Sequence, residues 1–224
     1  MTLKDNKETV YHQVEQAVLE ANRSFESVTI IAVTKYVDSS CARELAKTGV
    51  SHIAENRVDK FLDKYEALRD ENLTWHLIGT LQRRKVKDVI DYVAYFHALD
   101  SVKLAKEIQK RAKKPIKCFL QVNISGEESK HGFSEDAIDA VIEELKPLDK
   151  IELVGLMTMA PLEASKEEIR QIFHKAQLLN RRLHDLKFER MPFTELSMGM
   201  SGDYDLAIQE GATFVRIGSA FFKE

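Results

Sequence analysis

Hydrophobic and polar positions divide the chain into two alternating kinds of segment. Short apolar runs rich in β-branched residues recur eight times, and amphipathic stretches separate them. The runs occupy residues 28–35, 52–56, 75–79, 95–100, 117–124, 153–159, 193–199 and 214–221. Nearly continuous hydrophobicity is typical of strands that are covered on both faces, and strands separated by helices pair in parallel. The pattern therefore predicts eight parallel strands joined by helical crossovers.

The stretches between the runs carry the spacing of amphipathic helices, with apolar residues three and four positions apart. One such stripe covers residues 58–68, and another covers 138–145 after Ser134, which we interpret as an N-cap. Ser165 and Glu168 predict a capping box that opens a longer helix. The apolar stripe of that helix consists of Ile169, Ile172, Phe173, Ala176, Leu179, Leu183 and Leu186.

Eight strands with their crossovers in 224 residues fit a (β/α)8 TIM barrel at the short end of its size range. Val10, Val14 and Val18 predict one extra helix before the first strand. No linker interrupts the series, so we expect a single domain over residues 1–224, with the N-terminal helix in 1–27 and the barrel in 28–224. The same alternation also permits an open doubly wound sheet. If the barrel closes, chemistry belongs at the C-terminal ends of its strands.

Charge and cysteine content narrow the partners of such a barrel. The chain has 33 Lys and Arg against 36 Asp and Glu, which offers no electrostatic footprint for nucleic acid or an anionic membrane. No run approaches the roughly 20 apolar residues of a membrane span, and the first residues lack the apolar centre of a signal peptide. Cys41 and Cys118 have neither metal-binding nor redox spacing. We expect a cytoplasmic protein without disulfides.

Lys35 and a glycine-rich region near the end of the chain are the first candidates for chemistry. Lys35 ends the first run, where an amine that burial keeps unprotonated can attack a carbonyl and form a Schiff base. A solvated lysine at a strand end is the plainer interpretation. Ser201 and Gly202 before a helix, with Gly218 and Ser219 after the last strand, fit the phosphate site that TIM barrels often place there. Two ordinary tight turns are the alternative.

Arg216 is the least expected residue, because it lies among apolar neighbours in the last strand. A buried guanidinium needs an acceptor, since an unpaired buried charge is costly. The acceptor is either an acidic side chain inside the barrel, such as Glu55 or Glu195, or a ligand atom. Asn56 and His76, in the second and third strands, are weaker candidates for the same ligand or for a hydrogen-bonded place in the core.

Frequent catalytic motifs are missing from the sequence. The seven histidines show no zinc-binding spacing, which predicts that no metal is bound. There is no GxGxxG, no Walker loop and no GxSxG elbow, which argues against nucleotide-binding and esterase folds. Met157 and Met159 are expected to pack rather than to act through their sulfur atoms.

Seven segments form an ordered set of motifs over nearly the whole chain. They are AVTK at 32–35, AEN at 54–56, WHLIGTLQRRK at 75–85, VNISGEESKHG at 122–132, GLMTMAP at 155–161, LSMGMSGDYDLAI at 196–208 and VRIGSAFF at 215–222. This set resembles the pyridoxal phosphate (PLP) homeostasis proteins, which share their barrel with the N-terminal domain of alanine racemase. Ala54 in place of glycine, Arg84 in place of asparagine, and the ending FFKE depart from the usual pattern without touching a cofactor-contacting position.

The resemblance implies roles for the candidate residues. Lys35 matches the lysine that binds PLP as a Schiff base, Arg216 matches the arginine near the pyridine nitrogen, and Asn56 matches a pocket-lining residue. The positions that hold the phosphate are matched by Ser201, Gly218 and Ser219. For Lys130, in the loop 125–132, we expect an electrostatic role near the barrel mouth, with a second PLP site as the alternative.

An arginine at the pyridine nitrogen bears on activity. PLP catalysis usually depends on a protonated ring nitrogen held by an acidic residue, and arginine cannot accept that proton. In alanine racemase the second base is a tyrosine supplied through an additional β-domain, which we do not expect in this chain; Tyr36 and Tyr204 are only local substitutes. We therefore expect a non-catalytic protein of vitamin B6 homeostasis that holds PLP on Lys35 and releases it to apo-enzymes that use PLP.

Two other functions remain open at this point. A small PLP-dependent amino-acid racemase would use Lys35 as one of its two bases. A class I aldolase-like barrel, in which Lys35 attacks a sugar-phosphate carbonyl, explains the lysine and the phosphate site but leaves Arg216 unexplained. In alanine racemase the additional β-domain contacts a partner subunit. Because we do not expect that domain in this chain, we also expect a monomer.

Overall fold

Each of the eight apolar runs forms a strand, and the strands pair in parallel and in chain order around a closed barrel. The computed structural model describes residues 2–127 and 131–223. The strands are β1 (Thr29–Val33), β2 (His52–Glu55), β3 (Thr74–Leu77), β4 (Tyr95–Leu99), β5 (Ile116–Gln121), β6 (Ile151–Met157), β7 (Glu195–Ser197) and β8 (Phe214–Ile217). Because β1 pairs with both β2 and β8, the predicted TIM barrel is confirmed and the open sheet is excluded.

Helices cover the outside of the barrel. Within the described residues they are α1 (Leu3–Glu20), α2 (Ser39–Lys47), α3 (Val58–Ala67), α4 (Val86–Val89), α5 (Val102–Arg111), α6 (Ile138–Leu145), α7 (Lys166–Asp185) and α8 (Tyr204–Gln209). The predicted extra helix α1 is tied to the other end of the chain, since the Asn6 amide donates to the carbonyls of Phe221 (3.1 Å) and Lys223 (2.8 Å). No helix in the described ranges is long and apolar enough to cross a membrane.

The predicted helix ends are partly right. The Ser165 hydroxyl accepts from the Glu168 N–H at 3.3 Å, and the Glu168 carboxylate accepts from the Ser165 N–H at 2.8 Å, so the capping box of α7 is confirmed. Ser134 was the wrong N-cap, because a 3-10 turn separates it from α6 and its side chain makes no capping bond. Leu186 lies beyond the last residue of α7 and is 51% exposed, so its place in the apolar stripe is also wrong.

The interior of the barrel differs from the apolar layer between strands and helices. That outer layer is aliphatic and aromatic, with Ile53 and Phe61 among its fully buried members. Phe214 of β8 lies 5.3 Å, between ring centroids, from both Tyr95 of β4 and Phe119 of β5. Since β8 pairs with neither β4 nor β5, these ring contacts cross the barrel interior. The interior is therefore filled by rings, some of which carry polar atoms.

Candidate functional site

A cavity of about 730 Å³ opens at the C-terminal ends of the strands, and we call it the mouth cavity. Its volume lies within the roughly 300–1,000 Å³ that small-molecule sites occupy. The six residues predicted to bind a cofactor all line this cavity: Lys35, Asn56, Ser201, Arg216, Gly218 and Ser219. The barrel thus brings together residues from the ends of four strands, as closure predicts.

Lys35 lies in the turn that follows β1, two residues past the last residue of the strand, and it is exposed at the mouth of the cavity. The plainer interpretation, a solvated lysine at a strand end, is therefore the correct description of its exposure. Its amine lies 4.7 Å from the centre of the Tyr36 ring and makes no hydrogen bond or ion pair with any residue that the structure describes. This contact is weak, so it does not hold the Lys35 side chain away from a ligand in the cavity.

The backbone directly before Lys35 is held by a buried ion pair between Glu55, at the end of β2, and Lys64 of α3. The Thr34 hydroxyl donates to Glu55 Oε1 at 2.6 Å, and Lys64 Nζ donates to the Thr34 carbonyl at 2.7 Å. The second carboxylate oxygen, Glu55 Oε2, is buried and has no hydrogen-bond partner within the described residues. The exposed lysine therefore projects from a rigid and fully buried support, which the sequence analysis missed.

Arg216 shows the opposite arrangement, because its guanidinium is buried and only 4% of the residue is exposed. Nη1 donates to Ser197 Oγ at 2.6 Å and Nη2 donates to the Thr158 carbonyl at 3.1 Å. Burial lowers the pKa of Arg216 to about 10, and the Asp203 carboxylate opposes that shift, so the side chain stays charged at neutral pH. Nε donates to no residue in the described part of the chain, which leaves it for a ligand in the mouth cavity.

The two acidic partners predicted for Arg216 are both wrong. Glu55 is paired with Lys64, and the Glu195 carboxylate accepts from the Thr194 hydroxyl at 3.2 Å. The carboxylate that acts on Arg216 electrostatically is Asp203, which also lines the mouth cavity. Burial raises the pKa of Asp203, although its oxygen accepts from the Met200 N–H at 2.6 Å.

The turns after β7 and β8 are joined to each other, because the Gly218 N–H donates to Ser201 Oγ at 3.2 Å. Gly199 makes this junction possible. Its φ of +91° is in the left-handed region, and a Cβ there would lie only 2.6 Å from the Ala207 Cβ of α8. Ser219 begins the next short helical turn and is exposed. Hydroxyl groups and a backbone N–H therefore meet at one edge of the cavity, which suits an anion.

The remaining wall is apolar, and it includes two residues that the sequence analysis assigned only to packing. Met157 and Met159 line the mouth cavity as well as contacting the core, and Ile78 joins them. Asn56 approaches this wall because Gly79 has no side chain: a Cβ at Gly79 would lie 2.0 Å from the Asn56 carbonyl oxygen. The signal for the methionines was their place at the end of β6, where the other site residues also follow strand ends.

One predicted candidate, His76, lies away from the cavity. His76 does not line the mouth cavity, and its ring is hydrogen-bonded in the barrel interior to His52 (3.0 Å) and His97 (2.9 Å). The core role of His76 is therefore the correct one of the two interpretations. Lys130 lies outside the described residues.

The sequence matches the family model for the alanine racemase N-terminal domain over residues 10–224. A pyridoxal phosphate homeostasis protein of Aquifex aeolicus is 38% identical over 96% of this chain and 95% of its own length. A protein of the same name from Pseudomonas aeruginosa is 33% identical over 99% and 95% of the two chains. The solved structure of PipY from Synechococcus elongatus, with PLP bound, is similar at a TM-score of 0.86 and 30% identity, and it covers 99% of this chain and 100% of PipY.

Proposed function

The chain belongs to the pyridoxal phosphate homeostasis protein family, within the alanine racemase N-terminal domain superfamily, and from this membership we propose that the mouth cavity binds PLP. The donor set fits the cofactor. A free amine, a buried guanidinium whose Nε–H donates to no described residue, and a polar edge of joined turns surround an apolar cavity of about 730 Å³. This combination at a single barrel mouth is the observation that carries the proposal.

When bound, PLP supplies an aldehyde with which a lysine amine forms a Schiff base and releases water. We assign that amine to Lys35, since it is exposed at the cavity mouth and has no competing carboxylate in the described residues. Ser201, Gly218 and Ser219 would hold the phosphate at the polar edge of the cavity that they line. Arg216 would donate to the pyridine nitrogen, and Asn56 would close the side of the pocket.

The role we propose is to hold and release PLP rather than to catalyse a reaction on it. Arg216 is charged at neutral pH, and a guanidinium can only donate hydrogen bonds. It would therefore keep the ring nitrogen unprotonated, which would make PLP a weaker electron sink. The two tyrosines considered as a second base are poorly suited. Tyr36 is 82% exposed, and the Tyr204 hydroxyl is bonded to Gln13 at 3.2 Å while burial raises its pKa.

The exposed amine also favours release of the cofactor. Because Lys35 is exposed at the cavity mouth, PLP held on its amine would be accessible to water and to the amines of other proteins, and it could be released to apo-enzymes that need it. We place this exchange in the cytoplasm, consistent with the two free thiols of Cys41 and Cys118, and assign it to a monomer.

Absorption spectra of the purified protein mixed with PLP test the lysine. The wild type should show the band of a Schiff base, and Lys35→Ala should show only that of the free aldehyde. Lys7→Ala is the matched control, because the Lys7 amine lies 4.4 Å over the Tyr11 ring in the same kind of contact. A band that survives in Lys35→Ala, or that disappears in Lys7→Ala, contradicts the assignment.

Exchange of the amino-acid α-hydrogen distinguishes a protein that only holds PLP from a racemase. The PLP-loaded protein is incubated with a panel of L-amino acids in deuterated water, and the α-hydrogen is followed by mass spectrometry. We expect no exchange above that of free PLP. Steady exchange with the appearance of D-amino acid would make the protein a racemase.

A further inference from the structure

A row of three histidines crosses the barrel interior and ends on Arg216; we call His52, His76 and His97 the histidine row. His52 Nδ1 lies 3.0 Å from His76 Nε2, and His76 Nδ1 lies 2.9 Å from His97 Nε2. His97 Nδ1 then lies 2.8 Å from the oxygen of Ser197, which accepts from Arg216 at 2.6 Å. The row connects the N-terminal end of β2 with the guanidinium that faces the mouth cavity.

The surroundings keep the histidine row neutral. His76 and His97 are fully buried, and burial lowers the pKa of both well below 6.5. Burial also lowers the pKa of His52, the half-buried outer end of the row. The rings pack on aromatic faces, since His76 stacks on Tyr95 at 4.9 Å and His97 on Phe119 at 4.3 Å between ring centroids.

Within the described residues, no carboxylate is hydrogen-bonded to a ring of the histidine row. Arg216 on β8 lies at its inner end, and Tyr95 on β4 lies beside its rings. Lys117 on β5 has its amine 3.5 Å from the Tyr95 hydroxyl, towards the outer end. The contact that β2 supplies is His52 itself, and β7 supplies the neutral Ser197. Among the described residues, no three His, Cys, Asp or Glu side chains are arranged so that they could hold a metal ion, and this includes the three rings of the row.

The direction of the hydrogen bonds follows from Arg216. A guanidinium can only donate, so Ser197 Oγ accepts from it and must place its own hydrogen elsewhere. The acceptor within the described contacts is His97 Nδ1. His97 then carries its proton on Nε2 and donates to His76 Nδ1, and His76 in turn donates from Nε2 to His52 Nδ1. One donor-only group therefore fixes the same Nε2–H tautomer in all three rings.

We propose that the histidine row consists of positioning residues for the ring-binding arginine: by keeping His97 Nδ1 as an acceptor, the row turns the Ser197 hydroxyl away from Arg216 and leaves its lone pairs for the guanidinium. Arg216 is thereby fixed as a donor aimed at the mouth cavity. The cavity should therefore bind a ligand ring more tightly when the atom facing Arg216 accepts a hydrogen bond, as an unprotonated pyridine nitrogen does, than when that atom cannot accept one. This inference rests on the proposed binding of PLP.

Nitrogen NMR of the imidazole rings tests the row without any ligand. At neutral pH, the three rings in the protein alone should all be neutral Nε2–H tautomers, and in His52→Phe the resonances of His76 and His97 should shift. A neutral ring in the Nδ1–H form, or mixed tautomers along the row, overturns the inference. This outcome is independent of whether the cavity binds PLP.

Ligand discrimination tests the positioning role. Dissociation constants are measured by fluorescence for PLP and for its carbocyclic analogue, in which carbon replaces the ring nitrogen. The wild type should prefer PLP, and His97→Phe should lower PLP affinity by roughly tenfold while leaving the analogue unchanged, since one charge-assisted hydrogen bond is weakened. His97→Gln, which keeps an acceptor and a donor, should restore part of the preference.

The controls separate positioning from folding. His174→Phe changes an exposed ring that is bonded to Glu210 at 2.9 Å, and it should leave both affinities unchanged. His52→Phe alters only the half-buried end of the row and should reduce the preference by roughly twofold even if His97→Phe fails to fold. The inference is overturned if a row variant loses affinity equally for PLP and for the analogue, or if His97→Phe and His52→Phe both keep the full preference of the wild type for PLP. A wild type that binds neither ligand refutes the proposed function, while the NMR result still decides the tautomers.

Discussion

The two cationic residues of the mouth cavity are held in opposite ways. Lys35 is exposed and free, and the ion pair of Glu55 with Lys64 is buried beneath it. Arg216 is itself buried, and a neutral row of rings stands behind it. A charged pair therefore supports Lys35, which is to react with the ligand, and neutral hydrogen-bonding groups support Arg216, which is to recognise the ligand. The difference fits a holder of PLP, in which one cation must react and exchange while the other must keep its position.

The largest effect is expected from breaking the support of Lys35. Glu55→Ala leaves the Lys64 ammonium buried without its carboxylate, which should lower the free energy of unfolding by about 3–5 kcal/mol. Urea denaturation followed by fluorescence measures the loss. The double variant Glu55→Gln, Lys64→Met removes both charges and should recover most of it; if the single variant is as stable as the wild type, the ion pair does not support the site.

Removing the other cation should act on recognition more than on reaction. Arg216→Met fills the same space without donors, so we expect PLP affinity to fall by roughly 10- to 100-fold, since the charge-assisted hydrogen bond to the ring is lost. The Schiff base band should still form when PLP is raised to compensate. If the band is lost at every PLP concentration while the variant stays folded, the division of roles between the two cations is wrong.

The sequence was enough to predict the two cationic residues but not the groups that support them. The eight strands were predictable because their β-branched runs are local signals, and Lys35 and Arg216 were found because a polar residue in or after such a run is conspicuous. The supports were not predictable. Glu55 and Lys64 lie on a strand and the following helix, and their pairing depends on how α3 packs.

The histidine row shows the same limit more strongly. Its members come from β2, β3 and β4 and meet Ser197 of β7 only because the barrel closes, so no spacing along the sequence joins them. His76 was noticed alone, and its two ring partners were not. Asp203 and the apolar wall were missed because an acidic residue before a helix and a methionine after a strand are common in any barrel.

A smaller effect is expected at the junction of the last two turns. Ser201→Ala removes the hydroxyl that accepts from the Gly218 N–H and lies at the polar edge of the cavity. We expect PLP affinity to fall by roughly fivefold, which corresponds to one hydrogen bond, while pyridoxal without phosphate binds as before. Isothermal titration of both ligands checks this, with Ser27→Ala as a control, because Ser27 precedes β1 and lies at the end of the strand opposite to the cavity. An equal loss for both ligands would place the phosphate elsewhere.

The smallest effect is expected at Asp203, the carboxylate that interacts electrostatically with Arg216. Because burial raises its pKa, the folded state binds a proton more readily than the unfolded state does, and this residue's contribution to stability falls as pH rises through that pKa. Asp203→Asn keeps an oxygen for the Met200 N–H, so it should be more stable than the wild type at neutral pH by less than about 1 kcal/mol. The difference should vanish in acid below the ordinary value of 3.8. Thermal melts at both pH values measure it, and a difference that persists in acid contradicts the sign.

Reductive trapping tests the central claim most directly. The protein is mixed with PLP and reduced with borohydride, which converts a Schiff base into a stable amine, and the labelled peptide is identified by mass spectrometry after proteolysis. We predict one dominant label, on Lys35, and its loss in Lys35→Ala but not in Lys7→Ala. A label on another lysine, Lys130 included, or no label while PLP is bound, would contradict the account.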